Sequence, residues 1–461
     1  MSLGYGQSFG RLVGAVMKVC FITLGSRGDV QPVIALGAAL RERGHDVVIA
    51  CMGAGLVALV QSAGLRAHEL IHTLPDHDEG YQKSLHNPIS RVRAWRDYMK
   101  ATFPKVSREL NVVCEGADIV LAHSDALNLV VATTSKTGGK VMGYRFFPGT
   151  MNSAYPVTQY TPAGWAQQIL ESAPGFVKRA TWRVGEYITW QHIRWVLNYH
   201  RNALGLPPHR SFRDMSRETA NIPDIQFYDQ ALVPELSSEF GADKPMLGFL
   251  QVAPKSWQRN EEQERAAEDV RTWMRAGEPP IYWGFGSIRV SDPDGLARMF
   301  ADVCRRNGQR GLIVAGWSDL ADRDLGDHVK VVESVEHATV LPLCKAAVHH
   351  GGAGTTAACL RAGLPSLICS VLADQPFWGR RIQALGVGAH VPVQQLTEKK
   401  LEDALRVLLS AKTVERAQTI AQALIPGAQV AQRAAQAIES AVPAQPAAPV
   451  ESAEPAQPAV P

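Results

Sequence analysis

The segment His349-His350-Gly351-Gly352-Ala353-Gly354-Thr355-Thr356 contains two histidines, three glycines and two threonines within eight residues. Glycines allow a diphosphate to approach the backbone, and the free N–H groups and dipole of a helix N-terminus attract anions. Threonine hydroxyls and a histidine ring add hydrogen-bond donors. The segment therefore predicts a phosphate site rather than a tight turn without a ligand. Because no P-loop lysine accompanies it, an ATPase or kinase is not indicated.

Two further polar segments follow predicted strands in the same half of the chain. Asp374 and Gln375 place a carboxylate beside an amide, a pair that suits the vicinal hydroxyls of a sugar. Asp374 is equally well placed to be the N-cap of the next helix, so both interpretations stay open. Ser287, after Phe285 and Gly286, can donate to a phosphate oxygen, but the segment is also typical of a plain strand-end turn.

The first half of the chain carries the turn Gly25-Ser26-Arg27-Gly28-Asp29. Asp29 lies where a carboxylate can accept the proton of a bound hydroxyl, although it could also serve only to cap the following helix. Asp125 supplies a second carboxylate at the same edge of the predicted sheet. No Gly-x-Ser-x-Gly elbow and no His/Cys or Asp/His metal cluster competes with these segments, so no metal site is predicted.

Short apolar runs precede these turns and predict strands buried on both faces of parallel sheets. A helix over residues 32–43 completes a first βαβ unit. The sequence therefore predicts an α/β protein with two doubly wound, Rossmann-like halves, whose ligands bind beyond the carboxyl ends of the strands. The predicted strands span residues 18–24, 46–51, 118–122, 140–144, 280–285, 308–315, 329–332, 346–348 and 366–370.

Residues 155–206 concentrate four tryptophans and four tyrosines in a stretch that predicts helices. These side chains would either fill a helical core or line an apolar acceptor pocket, and the composition alone leaves both open.

Bulk composition narrows the classes of function. Lys plus Arg number 47 against 44 Asp plus Glu, a near balance that does not indicate a nucleic-acid binder. The seven cysteines are scattered and predict reduced core residues of a cytoplasmic protein. No apolar run has the length of a membrane-spanning helix, whereas peripheral membrane contact and the oligomeric state stay open.

Together the motifs resemble the inverting GT-B glycosyltransferases, which include bacterial antibiotic glycosyltransferases, sterol glucosyltransferases and the UDP-glycosyltransferases of plants and animals. The resemblance covers residues 18–437 and rests on the order and spacing of residues 25–32, 285–287, 349–356 and 373–379. It implies two Rossmann-like domains that face each other across a cleft. One departure is Glu336-His337-Ala338-Thr339, where relatives often carry Pro-His-Asp-Trp near the nucleoside.

The resemblance also implies residue roles. Asp29 matches the catalytic base, and Asp125 lies near the orienting aspartate of plant relatives. No metal or other cofactor is required, because helix N–H groups and neighbouring side chains would stabilise the leaving diphosphate. The residues implied to bind the nucleotide-sugar co-substrate are Ser26, Arg27, Gly28, Ser287, His337, His350, Gly352, Gly354, Thr355, Asp374 and Gln375.

The expected reaction moves a hexose, with UDP-glucose as the expected donor, to a hydroxyl of a lipophilic acceptor such as a sterol, terpenoid or macrolide. The product would be a β-O-glycoside. A dTDP-deoxysugar donor and a non-catalytic nucleotide-sugar-binding protein are the alternatives. A dinucleotide-dependent oxidoreductase would need a Gly-x-Gly-x-x-Gly turn after the first strand, which Gly25-Ser26-Arg27-Gly28 does not supply.

The predicted organisation has six parts. They are a disordered leader (1–16) ahead of Met17, an N-terminal acceptor-binding domain (17–240), a linker and start of the second domain (241–275), a nucleotide-sugar-binding domain (276–413), a helix that crosses back to the first domain (414–440) and a disordered Pro/Ala-rich tail (441–461).

Overall fold

The computed structural model describes residues 16–72, 88–157, 165–252, 261–286, 292–316, 324–371 and 373–442. The predicted leader and tail lie almost entirely outside the described residues, and Ser287 also lies outside them.

The first domain is built on one parallel sheet. Its strands are β1 (Lys18–Ile22), β2 (Asp46–Met52), β3 (Arg66–Ile71), β4 (Ile119–His123), β5 (Lys140–Arg145) and β6 (Asp224–Gln226). Their order across the sheet is β3-β2-β1-β4-β5-β6. The described helices of this domain are α1 (Arg27–Glu42), α2 (Ala54–Ser62), α3 (Pro88–Cys114), α4 (Leu127–Thr137), α5 (Trp165–Ser172), α6 (Gly175–Ala203) and α7 (Phe212–Thr219).

The second domain repeats this topology. Its strands are β7 (Ile281–Gly284), β8 (Gly311–Val314), β9 (Val329–Val332), β10 (Ala346–His349), β11 (Ser366–Ile368) and β12 (Gly388–His390), in the order β12-β11-β10-β7-β8-β9. The described helices from residue 261 onward are α8 (Glu261–Arg275), α9 (Pro293–Arg306), α10 (His337–Val340), α11 (Ala353–Arg361), α12 (Gln375–Ala384), α13 (Glu398–Leu408), α14 (Ala411–Ala423) and α15 (Gly427–Ala441). The predicted pair of doubly wound α/β domains is confirmed.

Strand order decides where ligands can bind. In each sheet the chain starts at a central strand, moves to one edge and then returns to the other side of that strand, so β1 neighbours β4 and β7 neighbours β10. The loops after these two strand pairs diverge at the carboxyl ends and leave a crevice between them. The Asp29 turn and Asp125 follow the first pair, and the His350 loop follows β10.

The first helix differs from its prediction. It begins at Arg27, not at Pro32, because Ser26 is its N-cap and Asp29 completes a capping box with Ser26. Pro32 lies inside the helix, where it lacks the N–H that would bond to the carbonyl of Gly28. Arg27, Gly28 and Asp29 are therefore helical residues rather than part of a loop.

The predicted last helix is also different, because it is two helices with a break before Pro426. Pro426 is the N-cap of α15, and a proline cannot continue the α14 hydrogen-bond ladder. In α14, Ala417 and Ile420 pack with second-domain residues. In α15, by contrast, Val430 and Ile438 belong to the core of the first domain.

The two domains share a buried core. Tyr228, Leu236 and Phe249 from the first half of the chain pack with Phe377 and Trp378 of the second domain, and Trp378 is fully buried. The first residues of the predicted linker also belong to the first sheet, since the N–H of Leu247 donates to the carbonyl of Gln226.

Candidate active site

The turn between β1 and α1 fixes Asp29 by one carboxylate oxygen. Asp29 Oδ2 accepts a hydrogen bond of 2.7 Å from the backbone N–H of Ser26, and Ser26 Oγ accepts one from the N–H of Gly28. A Cβ on Gly25 would lie 2.0 Å from Asp29 Oδ2, so this position must be glycine for the carboxylate to fold back over the turn. The capping interpretation of Asp29 thus holds for one of its two oxygens.

The second oxygen of Asp29 faces a histidine that the sequence prediction missed. Asp29 Oδ1 lies 3.7 Å from Nε2 of His123, and Nδ1 of His123 lies 3.7 Å from Oδ2 of Asp125. The Asp29 side chain is 26% exposed and that of Asp125 is 72% exposed. His123 ends β4 beside the topological switch, and that place at a strand end was the available sequence signal.

Burial raises the pKa of Asp29, and Asp125 raises it further, while His123 and the Ser26 hydrogen bonds act in the opposite direction. A carboxylate with a raised pKa is a stronger base than an exposed aspartate. In this environment Asp29 can act as a base. One of its carboxylate oxygens is held by a hydrogen bond from Ser26, and the other can accept a proton.

The helix start of the second domain faces this turn. After β10 the chain passes Gly351, whose φ is +91°, and reaches the N-cap Gly352, which has no side chain to cap the first turn of α11. A Cβ on Gly352 would lie 2.5 Å from His350 Nε2, so the glycine lets that ring lie against the turn. The N–H groups at the start of α11 are thus available to an anion.

The histidines around α11 are neutral. Burial lowers the pKa of His350 to about 4 and that of His337 to about 4. His337 Nε2 lies 3.0 Å from the hydroxyl of Tyr282, and the charge of Arg27 from the first domain adds to the lowering of its pKa. A neutral imidazole in this place can offer a phosphate a hydrogen bond.

The loop before α12 holds a third set of polar groups. Ala373 has a φ of 57°, the one positive value for a non-glycine among the described residues, and marks backbone strain beside the predicted sugar contacts. Burial raises the pKa of Asp374 to about 7, with a further contribution from Asp29. Asp374 is the N-cap of α12 but makes no side-chain cap bond, and its Oδ2 accepts from Trp378 Nε1 at 3.1 Å.

Gln375 is buried, and its Oε1 accepts a 2.8 Å hydrogen bond from the backbone N–H of Val371. This bond ties the amide to its own loop.

The two sets of motifs meet where the two domains face each other. Ala353, at the start of α11, packs against the core that contains Val30 of α1. The electrostatic coupling of Asp29 with Asp374 and of Arg27 with His337 also crosses from one domain to the other. Most of the residues predicted at the site are thus brought to the same region.

Comparisons with known proteins identify the family. Residues 19–136 match the glycosyltransferase family 28 N-terminal domain, and residues 314–436 match the erythromycin biosynthesis protein CIII-like C-terminal domain. The chain is 33% identical over 412 residues to an uncharacterized glycosyltransferase of Mycobacterium bovis, an alignment that covers 88% of this chain and 94% of that protein. This chain is a GT-B glycosyltransferase. The family predicted from the motifs is confirmed.

Two further comparisons relate this glycosyltransferase to a sterol glucosyltransferase and to a solved glycosyltransferase structure. A sterol 3-beta-glucosyltransferase of Arabidopsis thaliana is 32% identical over 429 residues, which are 88% of this chain and 63% of that protein. The solved structure of the glycosyltransferase VinC in complex with dTDP matches with a TM-score of 0.60 and 17% identity, over 92% of this chain and 99% of VinC. At that identity the likeness to VinC shows a shared fold.

The aromatic stretch of the glycosyltransferase is divided between the core and the surface, where Tyr199 is 44% exposed. Trp190 is buried in the first domain, and Trp182 is buried with its Nε1 donating to the carbonyl of Tyr155. Tyr187 is half-exposed, while Tyr155 packs edge-on against Phe377 of the second domain. Tyr160 and the side chain of Trp165 lie outside what the structure describes. For the buried tryptophans the interpretation as a helical core is confirmed.

The remaining class predictions concern cysteines, metals and membranes. All seven cysteines are free and buried, as predicted for reduced core residues. Within the described ranges, no group of three or more His, Cys, Asp or Glu side chains could hold a metal ion. No helix within those ranges is long and apolar enough to cross a bilayer.

Proposed function

We propose that this glycosyltransferase transfers a hexose from UDP-glucose to a hydroxyl of a lipophilic acceptor with inversion at the anomeric carbon. The observation that carries the proposal is the placement of Asp29, whose pKa is raised by burial, in one domain close to the uncapped start of α11 in the other. A base on one side and an anion site on the other suit an in-line displacement.

In the proposed reaction the acceptor hydroxyl binds beside Asp29, and Asp29 Oδ1 accepts its proton as the oxygen attacks the anomeric carbon. The carbon–oxygen bond to the diphosphate breaks on the opposite face, which converts an α-linked donor into a β-O-glycoside. The N–H groups of Gly354 and Thr355, the neutral ring of His350 and Arg27 from across the cleft stabilise the departing diphosphate.

The sugar contacts are proposed for Asp374. Its carboxylate lies close enough to Asp29 for the charge of Asp29 to raise the pKa of Asp374. Gln375 would act mainly by holding the loop, since its Oε1 is bonded to Val371. Ser26 and Gly28 would shape the turn that presents Asp29.

Support for a lipophilic acceptor comes from a relative, since Phe146 and Tyr144 beside His123 are buried in the first-domain core. The name of the Arabidopsis thaliana relative, a sterol 3-beta-glucosyltransferase, supports both a glucose donor and an apolar alcohol. A dTDP-sugar donor is the second candidate, supported by the dTDP bound to VinC and by the unusual segment 336–339.

The proposal is tested by incubating the protein with UDP-glucose, UDP-galactose or dTDP-glucose and a panel of sterols, terpenoid alcohols and macrolides. Release of the nucleoside diphosphate and the product mass identify the pair, and proton NMR of the anomeric signal gives its configuration. We expect UDP-glucose to be preferred and the product to be a β-glycoside. Faster turnover with dTDP-glucose would reverse the donor assignment, an α-product would exclude inversion, and tight donor binding without transfer would indicate a non-catalytic binder.

A further inference from the structure

His123 lies between the two carboxylates of the first domain. Its Nε2 faces Asp29 Oδ1 and its Nδ1 faces Asp125 Oδ2, each at 3.7 Å. A shortening of about 1 Å on each side would give ordinary charge-assisted hydrogen bonds. One imidazole therefore connects the proposed base to a largely exposed aspartate.

His123 lacks the hydrogen bonds expected of a buried histidine in a hydrophobic core. It is 7% exposed, and its Nδ1 has no hydrogen-bond partner among the described residues. His200 in the same domain shows the contrast, since both of its ring nitrogens lie 2.8 Å from hydroxyls, those of Ser107 and Thr133. An unpartnered buried nitrogen is costly unless it has a use or a partner that arrives later.

The surroundings hold the ring in place while leaving its Nδ1 without a hydrogen bond. Phe146 stacks on one face with an interplanar angle of 23°, and Tyr144 packs at a tilt from β5. The titratable groups that face it are Asp29 from α1, Asp125 from the loop after β4 and Tyr144. Beyond them, Asp29 also raises the pKa of Asp374 in the second domain.

We propose that His123 is a positioning residue that takes up the acceptor's proton from Asp29 through Nε2, while Asp125 holds the ring as the Nδ1–H tautomer. This inference rests on the proposed role of Asp29 as the base. In this arrangement Asp125, the second predicted catalytic carboxylate, acts only through His123.

Proton transfer accompanies the displacement at the anomeric carbon. The acceptor oxygen forms a bond to the anomeric carbon, and the electron pair of the broken carbon–oxygen bond leaves with the diphosphate. The acceptor proton moves to Asp29 Oδ1 and then to the lone pair of Nε2. The resulting imidazolium lies between two carboxylates, which stabilise its charge until the proton returns to solvent past the exposed Asp125.

Kinetics of His123→Gln test the proton transfer, because glutamine preserves polar contact with Asp29 but cannot take up a proton. With UDP-glucose and cholesterol as probes, we expect kcat to fall by about 10²-fold while the donor dissociation constant is unchanged. His192→Gln, on the exposed side of α6, is the matched control and should retain wild-type rates.

The pH profile separates this role from a structural one. If both Asp29 and His123 must be free of protons, the acid limb of kcat/KM reports the first protonation of the pair. The pair of bases takes up its first proton at a higher pH than Asp29 would alone. The acid limb of kcat/KM should therefore move to lower pH in His123→Gln. A limb that stays in place, or that moves to higher pH as when an imidazolium merely lowers the pKa of Asp29, overturns the proposal.

Histidine NMR provides a test that needs neither donor nor acceptor. In protein labelled with ¹⁵N-histidine, we expect neutral His123 to be the Nδ1–H tautomer, and Asp125→Ala, which also assigns the signal, to shift the ring toward Nε2–H. An Nε2–H tautomer in the wild type overturns the proposal, because Nε2 then has no lone pair for the proton. If no donor in the panel supports turnover, the proposed function fails while the tautomer result still decides the state of His123.

Discussion

At the scale of single residues, the two carboxylate oxygens of Asp29 have different roles. Oδ2 accepts the Ser26 N–H and completes the capping box of α1, whereas Oδ1 points to His123. A substitution can therefore separate the structural from the chemical role. Asparagine keeps an oxygen that can accept the Ser26 N–H but removes the basic carboxylate.

We expect Asp29→Asn to lower the transfer rate by about 10²–10⁴-fold, the usual contribution of a general base. Binding of UDP, measured by calorimetry, should be unchanged because the α11 turn is intact. Asp29→Ala is the companion variant and should in addition lose about 1 kcal/mol of stability with the cap. Wild-type turnover by Asp29→Asn would show that another group is the base.

Asp374 gives a stability prediction whose sign follows from its pKa. Because that pKa is about 7 in the folded protein and 3.8 is the ordinary value, the folded state holds the proton more tightly than the unfolded chain. Its stabilising contribution is present below about pH 4 and is lost as the pH rises through 7. We expect Asp374→Asn to exceed the wild type in stability by only about 1 kcal/mol at pH 4.5 and by about 4 kcal/mol at pH 8, since each unit of pKa difference corresponds to about 1.4 kcal/mol.

Urea unfolding at the two pH values measures this difference. If the difference in the free energy of unfolding between the variant and the wild type is the same at both pH values, the pKa of Asp374 is not raised in the folded protein.

At the scale of elements, the start of α11 combines a weak helix sequence with an open anion site. A Cβ on Gly354 would meet no atom within 4 Å, so the fold does not require glycine there, unlike at Gly352. The proposed reason for glycine is instead the approach of the diphosphate to the backbone. A methyl group at this position should therefore affect the ligand and not the fold.

We expect Gly354→Ala to stabilise the protein by about 0.5–1 kcal/mol, the usual gain for alanine inside a helix. The KM for the nucleotide-sugar donor should rise at least about tenfold, equivalent to about 1.4 kcal/mol of binding. Gly55→Ala in α2, where a Cβ also meets nothing within 4 Å, is the matched control for the helix effect alone. Equal donor KM values for the two variants would remove Gly354 from the phosphate site.

At the scale of the whole molecule, the end of the chain helps to build the core of its beginning. Val430, Ala434 and Ile438 of α15 are fully buried in the first-domain core. At the edge of this contact, Glu439 pairs with Arg43 at 2.6 Å and lies 2.9 Å from His45. The first domain is thus incomplete without residues that follow the second domain in sequence.

We expect Val430→Asp to destabilise the first domain by more than about 3 kcal/mol, because it buries an unpaired carboxylate. Hydrogen–deuterium exchange should accelerate in β1 and α1, although these elements lie at the other end of the chain. Gln429→Asp, at an exposed position on the same helix, should leave exchange unchanged. Acceleration confined to α14 and the second domain would contradict the packing of α15 on the first.

The sequence by itself determined the two doubly wound domains and the main motifs of the cleft. Buried parallel strands such as β1 (Lys18–Ile22) are near-continuous apolar runs, and glycine-rich turns at residues 25–28 and 351–354 reflect local backbone geometry, so both are visible over a few residues. Tertiary structure decided what depends on distant partners. His123 became part of the site only because β4 lies beside β1, and α15 joined the first domain because its apolar side chains are buried there. Strand order and domain packing are set by burial between segments far apart in the chain, which local patterns do not record.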